Sequence, residues 1–98
     1  MSEPRTLHVL RYAYVEEMSE RRTAHREAFR DLLRAAADRG EVVLAGATGD
    51  PVDGGLLVFT TREAAEAFRD ADPYGAAGLV TAAEVLPWTV VVGSALVR

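Results

Sequence analysis

Hydrophobic positions alternate along the chain between strand-like and helix-like spacing. Residues 6–14 (TLHVLRYAY) are rich in β-branched and aromatic side chains and predict a first strand. Residues 16–39 repeat apolar positions every three or four residues and predict a long helix that ends before Gly40. Residues 42–48 and 56–60 are apolar throughout and are separated by a turn rich in Gly, Asp and Pro. These two segments are therefore expected to form a hairpin.

The remaining segments predict a second helix and a last strand. Thr60 or Thr61 can cap a helix over residues 62–71, because a hydroxyl satisfies free backbone N–H groups at a helix start. The last strand is expected within residues 80–92, with Pro87 as a local interruption at a sheet edge or bulge. The element order is βαββαβ, which predicts an α+β fold of the ferredoxin-like type.

The strands carry apolar residues on both of their faces. Two helices can cover only one face of a four-stranded sheet, so the other face would expose a large hydrophobic patch to water. Soluble monomers seldom tolerate such a patch. We therefore expect a homodimer in which two sheets pack face to face around a two-fold axis.

Composition narrows the class of protein. A chain of 98 residues is expected to form one domain over 1–98, and its net charge of -4 disfavours nucleic acid as a partner. The N-terminus lacks the features of a secretory signal, and the longest apolar run is too short to span a bilayer. We therefore expect a cytoplasmic protein without a membrane partner.

Several kinds of site find no support in the sequence. There is no cysteine, and the chain has only two histidines, one of which, His8, is alone on strand one. No metal site is therefore expected. The segment Gly46-Ala47-Thr48-Gly49 lacks the lysine and the strand-to-helix context of a phosphate loop, so no cofactor is expected. All eleven basic residues are arginine, which together with the absence of Lys, Ile and Asn indicates a GC-rich coding bias. The arginine content by itself is therefore no indication of an anion-binding site.

His25 is out of place in the pattern. It falls on the apolar stripe of the predicted long helix, between Arg22 and Phe29, where a core side chain is expected. Asp72, in the sequence Asp72-Pro73-Tyr74 after the second helix, is a candidate partner. A carboxylate beside an imidazole fixes its tautomer and raises its basicity, as a general base requires. The alternatives are a packed, neutral imidazole and a carboxylate that only caps a helix.

Four short segments support a family assignment. They resemble the YciI-like (YCII-related) family in order and spacing: RTAH at 22–25, GEVVLAG at 40–46, ADPY at 71–74 followed by Gly78, and VLPW at 85–88. The resemblance implies a dimeric α+β barrel of ferredoxin-like protomers and a His-Asp dyad in a pocket. The dyad positions correspond to His25 and Asp72. Some family members have Gly-Pro where this chain has Gly46-Ala47.

One branch of that family is associated with elimination of chloride from a hydroxylated aromatic ring, a reaction that suits a histidine base. Arg22 is a candidate for binding an acidic substituent, and Gly46 for a loop contact. Four aromatic side chains are candidate walls for a ring substrate, with core packing as the alternative for each: Tyr12, Tyr14, Tyr74 and Trp88.

The sequence therefore predicts a small-molecule pocket between the first helix and the sheet. The favoured hypothesis is a cofactor-independent lyase or other proton-transfer enzyme, with His25 as base and Asp72 orienting it. Its substrate would be a small aromatic or hydroxylated metabolite. The alternative is a non-catalytic dimeric module that binds a small ligand in the same pocket.

Overall fold

The computed structural model describes residues 4–93 and contains the expected alternation of strands and helices. The strands are β1 (Arg5–Tyr14), β2 (Val42–Thr48), β3 (Gly54–Phe59) and β4 (Val80–Val90). The helices are α1 (Met18–Arg21), α2 (Arg26–Asp38), α3 (Arg62–Ala71) and α4 (Pro73–Ala76), and a 3₁₀ turn covers Thr23–His25.

The four strands form one antiparallel sheet in the order β2-β3-β1-β4. This order, with crossover helices after β1 and β3, is the ferredoxin-like βαββαβ arrangement predicted from the sequence. On the central strand, Leu10 lies opposite Leu57 of β3 and Val85 of β4. Leu10 and Leu57 are both buried in the core that the helices cover.

The main core lies between the sheet and the helices. Removal of these side chains from water stabilises the fold by roughly 1.5–3 kcal/mol for each large apolar residue. The buried members of this cluster are Leu10, Tyr12, Ala36, Leu57, Phe59, Ala65 and Phe68.

The predicted long helix over residues 16–39 is wrong as a continuous element. Instead, α1 and the 3₁₀ turn precede α2, and Glu17 has a φ of 60° immediately before α1. This break lets Met18 bury completely against Tyr74 and Leu79 in a second, smaller core. As a result, His25 lies at the N-terminal boundary of α2 and is half-buried, rather than in the middle of a long helix.

Two proline positions refine the predicted elements. The second helix ends at Ala71 as predicted, but Pro73 then begins the short helix α4. Proline is favoured there because the first helical N–H has no partner within the helix. Pro87 lies within β4, which is an edge strand as predicted, and the register shift lies between Ala13 and Tyr14 of β1 instead.

The opposite face of the sheet is not covered by the helices. Leu44 and Trp88 are 61% and 49% exposed there, and they line a shallow apolar groove together with Val9 and Leu56. Among residues 4–93, no helix has the length and apolar character needed to cross a membrane.

Candidate functional site

A pocket of about 220 Å³ lies between α2 and the sheet. Tyr14 at the end of β1 and Tyr74 on α4 line it, and β2 and β3 supply small or apolar residues. The residues that line it are Tyr14, Arg22, Arg26, Phe29, Arg30, Leu33, Ala45, Gly46, Ala47, Leu57 and Tyr74.

Stacked aromatic rings form one wall of this pocket. Phe29 and Tyr74 are nearly parallel, with ring centroids 4.2 Å apart and an interplanar angle of 6°. Tyr14 meets Tyr74 edge to face at 6.0 Å. The Tyr14 hydroxyl lies so close to Gly55 that a Cβ on that residue would be 3.0 Å from it, so glycine makes room for this ring. Such a wall suits a flat ring ligand.

Asp72 is buried behind this wall, with only 2% of its surface exposed. Its Oδ2 accepts a hydrogen bond of 2.6 Å from the Tyr12 hydroxyl, and its Oδ1 accepts one of 2.8 Å from the Tyr74 backbone N–H. Burial raises the pKa of the Asp72 carboxyl, and the two hydrogen bonds oppose this shift. The second hydrogen bond also caps α4.

The hydroxyls of the three tyrosines around Asp72 have raised pKa values. Burial is the largest cause that raises the pKa of Tyr12, Tyr14 and Tyr74. The hydrogen bond to Asp72 raises the pKa of Tyr12 further, and the Asp72 charge does the same for Tyr14. The hydroxyls therefore act as hydrogen-bond donors at neutral pH.

The structure does not join His25 to Asp72 by a hydrogen bond. Within residues 4–93, Asp72 is bonded to Tyr12 and Tyr74, while the His25 backbone N–H donates to the Arg22 carbonyl at 2.8 Å. His25 lies in the chain between Arg22 and Arg26, both of which line the pocket. His25 and Asp72 themselves are not among the residues that line the pocket.

The other predicted contact residues divide into two groups. Arg22, Tyr14, Gly46 and Tyr74 line the pocket, and Tyr12 packs against Tyr14 with ring centroids 5.6 Å apart. Trp88 lies elsewhere: it pairs with Leu7 in the sheet and faces the uncovered groove. Side chains alternate between the two faces of a strand, so Trp88 is placed opposite the face that carries Tyr12 and Tyr14.

Sequence reasoning missed Arg26, Phe29 and Arg30 as pocket residues. A signal was present, since Arg22, Arg26 and Arg30 are spaced by four and fall on one helix face. The arginine-only composition masks that signal, and the position of Phe29 on the apolar stripe predicts a core residue. Among the described residues, no group of three His, Asp or Glu side chains is placed to hold a metal ion.

Comparisons with known proteins agree with this architecture. A family model described as the YCII-related domain matches residues 7–89. A solved structure of similar fold is 5-chloro-2-hydroxyhydroquinone dehydrochlorinase (TftG) from Burkholderia phenoliruptrix AC1100, in complex with 2,5-dihydroxybenzoquinone. The match has 20% identity and a TM-score of 0.68, and it covers 84% of this chain and 92% of that chain. At this identity the similarity establishes a shared fold. No curated protein sequence matched the chain.

Proposed function

Because the chain belongs to the YCII-related domain family, we propose that it is a cofactor-independent enzyme that moves a proton on a small hydroxylated aromatic molecule. The observation that carries this proposal is the aromatic pocket backed by a buried carboxylate. The half-buried Phe29 ring, which stacks on the buried Tyr74 ring, offers a surface for a ring substrate, and Asp72 is hydrogen-bonded to the backbone of Tyr74. In this proposal, the aromatic side chains bind the ring, and the Asp72 carboxylate behind them supports acid–base chemistry at the same site.

We assign His25 as the base and Asp72 as the group that orients it. Each carboxylate oxygen has two lone pairs, so Asp72 can accept a further hydrogen bond beside those from Tyr12 and Tyr74. Catalytic hydrogen bonds are often long or unformed without substrate and tighten when the site is filled. In this proposal, His25 closes onto Asp72 when a ligand occupies the pocket.

Elimination of hydrogen chloride is the reaction type we favour. The ring first tautomerises: a hydroxyl proton moves to the chlorine-bearing carbon, which gives a ketone with a tetrahedral C–Cl carbon. The base then removes a proton from a second ring hydroxyl, the electron pair moves through the ring to give a quinone, and chloride leaves with the electrons of the carbon–chlorine bond. No oxidant or reductant is consumed. The structurally similar protein from Burkholderia phenoliruptrix is a dehydrochlorinase, which supports this choice of reaction class.

The alternative is a non-catalytic module that binds a small ligand. The observation in its favour is that both Asp72 oxygens already serve structural hydrogen bonds, one of which caps α4. A carboxylate held in this way can support the pocket without taking part in chemistry. Ligand binding would then stabilise the protein, but no product would form.

Chloride release from chlorinated hydroxyhydroquinones tests the proposed reaction. We expect the wild-type chain to release chloride, and His25→Ala and Asp72→Asn to lower the rate by about 100-fold or more, since acid–base groups contribute that much. His8→Ala, which removes the other histidine, is the matched control and should keep its activity. Thermal unfolding of each variant checks that it is folded.

Two results would contradict the assignment in different ways. Wild-type rates in His25→Ala would exclude His25 as the base. Ligand-dependent thermal stabilisation of the wild-type chain with no chloride release from any compound would favour the binding module instead.

A further inference from the structure

Three arginines form a positively charged side of the pocket. Arg26 and Arg30 lie one turn apart on α2, and Arg22 precedes them by a further four residues. Arg22 is half-buried, whereas Arg26 and Arg30 are exposed. Burial raises the pKa of the Tyr74 hydroxyl, and the charges of all three arginines oppose that shift. All three guanidinium groups therefore act on the space next to the Tyr74 ring.

These guanidinium groups have no carboxylate partner within residues 4–93, although the chain carries fifteen acidic and eleven basic residues. The next arginine in the same spacing, Arg34, pairs with Asp31 at 3.4 Å and does not line the pocket. Arg26 and Arg30 are like charges on one face of α2, and Arg22 adds a third charge to the same pocket from the segment before α2. An anion between them would offset their mutual repulsion. The charge of the pocket therefore favours an anionic ligand.

The size of the pocket limits what that anion can be. At about 220 Å³ it is smaller than the roughly 300–1,000 Å³ of most drug-sized ligand sites. A single ring with small substituents fits this space, and a nucleotide does not. The Tyr14 and Tyr74 hydroxyls make no hydrogen bond to other described residues, so they can bind ring hydroxyls.

We propose that Arg22, Arg26 and Arg30 form an anion subsite, which makes the pocket selective for ring compounds that carry a carboxylate over neutral rings of the same shape. The planar guanidinium group matches a carboxylate with two parallel hydrogen bonds. The proposal rests on the proposed function for the position of the ring, against Phe29 and Tyr74. It adds the substrate class, a hydroxylated aromatic acid.

Binding of two matched compounds tests this subsite. 2,5-Dihydroxybenzoate and 2,5-dihydroxybenzamide have the same ring and nearly the same shape, but only the first is an anion. Isothermal titration calorimetry on the wild-type chain should show at least about tenfold tighter binding of the acid, as expected for charge-assisted hydrogen bonds. Added salt should weaken binding of the acid and leave that of the amide unchanged.

Arginine variants locate the selectivity. Replacing Arg26 and Arg30 together by Gln should abolish the preference for the acid, and replacing both by Lys should retain part of it, because the charge remains. Arg34→Gln, on the same helix but outside the pocket, is the matched control and should keep the full preference. These side chains are exposed, so thermal unfolding should confirm that each variant is folded.

The outcomes separate this proposal from the proposed function. Equal binding of acid and amide, or an unchanged preference in the double Gln variant, would overturn the anion subsite and leave the ring pocket standing. Absence of binding by both compounds would overturn the subsite and the aromatic ligand class together. A clear preference for the acid without turnover of any compound would support the subsite and count against the enzyme.

Discussion

At the scale of single residues, Asp72 connects the fold to the candidate site. It links β1 to α4 through the Tyr12 hydroxyl and the Tyr74 backbone N–H, and it is almost fully buried. Burying a carboxylate lowers the stability of a protein unless its oxygens accept hydrogen bonds, so Asp72 needs these two hydrogen bonds to be buried. Asp72 therefore has a structural task whether or not it also takes part in chemistry.

The Tyr12 hydrogen bond should contribute to stability in a pH-dependent way. Hydrogen bonds to charged groups are worth about 1.5–3 kcal/mol, so Tyr12→Phe should lower the free energy of unfolding by about that amount near neutral pH. Urea unfolding checks this value. Tyr14→Phe is the matched control, because the Tyr14 hydroxyl has no hydrogen-bond partner among residues 4–93.

The sign of the pH effect follows from the raised pKa of the Asp72 carboxyl. Because the folded value lies above the unfolded value, the contribution of Asp72 to stability is greatest below the unfolded value and falls as pH rises through the folded value. Tyr12→Phe removes a bond that favours the charged form, so its cost should shrink as the pH is lowered toward about 4. An equal cost at both pH values would contradict a bond to the carboxylate.

At the scale of elements, the broken first helix decides where the pocket residues lie. The helix α1 has only four residues and no side-chain hydrogen bond at its N-cap. Isolated helices of this length are unstable, so α1 depends on tertiary packing. Its buried residue, Met18, packs against Tyr74 and Leu79 and holds the segment that leads to Arg22 and His25.

Shortening Met18 should therefore destabilise the protein. We expect Met18→Ala to lower the free energy of unfolding by about 2–5 kcal/mol, the usual cost of removing a buried methionine side chain. Glu20→Ala, at an exposed position of the same helix, should change it by less than about 0.5 kcal/mol. Urea unfolding measures both values, and similar costs for the two variants would show that α1 is not anchored by Met18.

At the scale of the whole molecule, the uncovered face of the sheet exposes apolar side chains to water. Leu44, Leu56 and Trp88 are exposed there, while the helices cover the other face. Exposed apolar patches of this kind are typical of interaction sites. We propose that a second copy of the chain covers this face, which would give the dimeric α+β barrel implied by the family resemblance.

Charges placed on that face should separate the copies. Sedimentation velocity should give a dimer for the wild-type chain at micromolar concentration, and a monomer for the double variant Leu44→Glu, Trp88→Glu, because burying two carboxylates in an apolar interface is unfavourable. Ala67→Glu, on an exposed position of α3, is the control and should remain dimeric. A monomeric wild-type chain would refute the sheet-to-sheet arrangement.

Local patterns were sufficient for the element order and for many of the boundaries. Residues 42–48 and 62–71 were predicted as a strand and a helix with the same bounds that the structure shows, because periodicity and capping act over a few residues. Pro73 marked the end of the second helix for the same reason. The family resemblance was confirmed over residues 7–89.

What only the tertiary structure decided depends on contacts between distant segments. The break before α2 interrupts a helix that local propensity favours, and it accompanies burial of Met18 against Tyr74 and Leu79, which are distant in the chain. Among residues 4–93, the side chain that donates a hydrogen bond to Asp72 is that of Tyr12, sixty residues earlier, a pairing that no local spacing encodes. The sequence thus determined the fold class and most of the candidate site residues, whereas packing decided which of those residues are in contact. Contacts between side chains of distant segments form only once the elements are assembled.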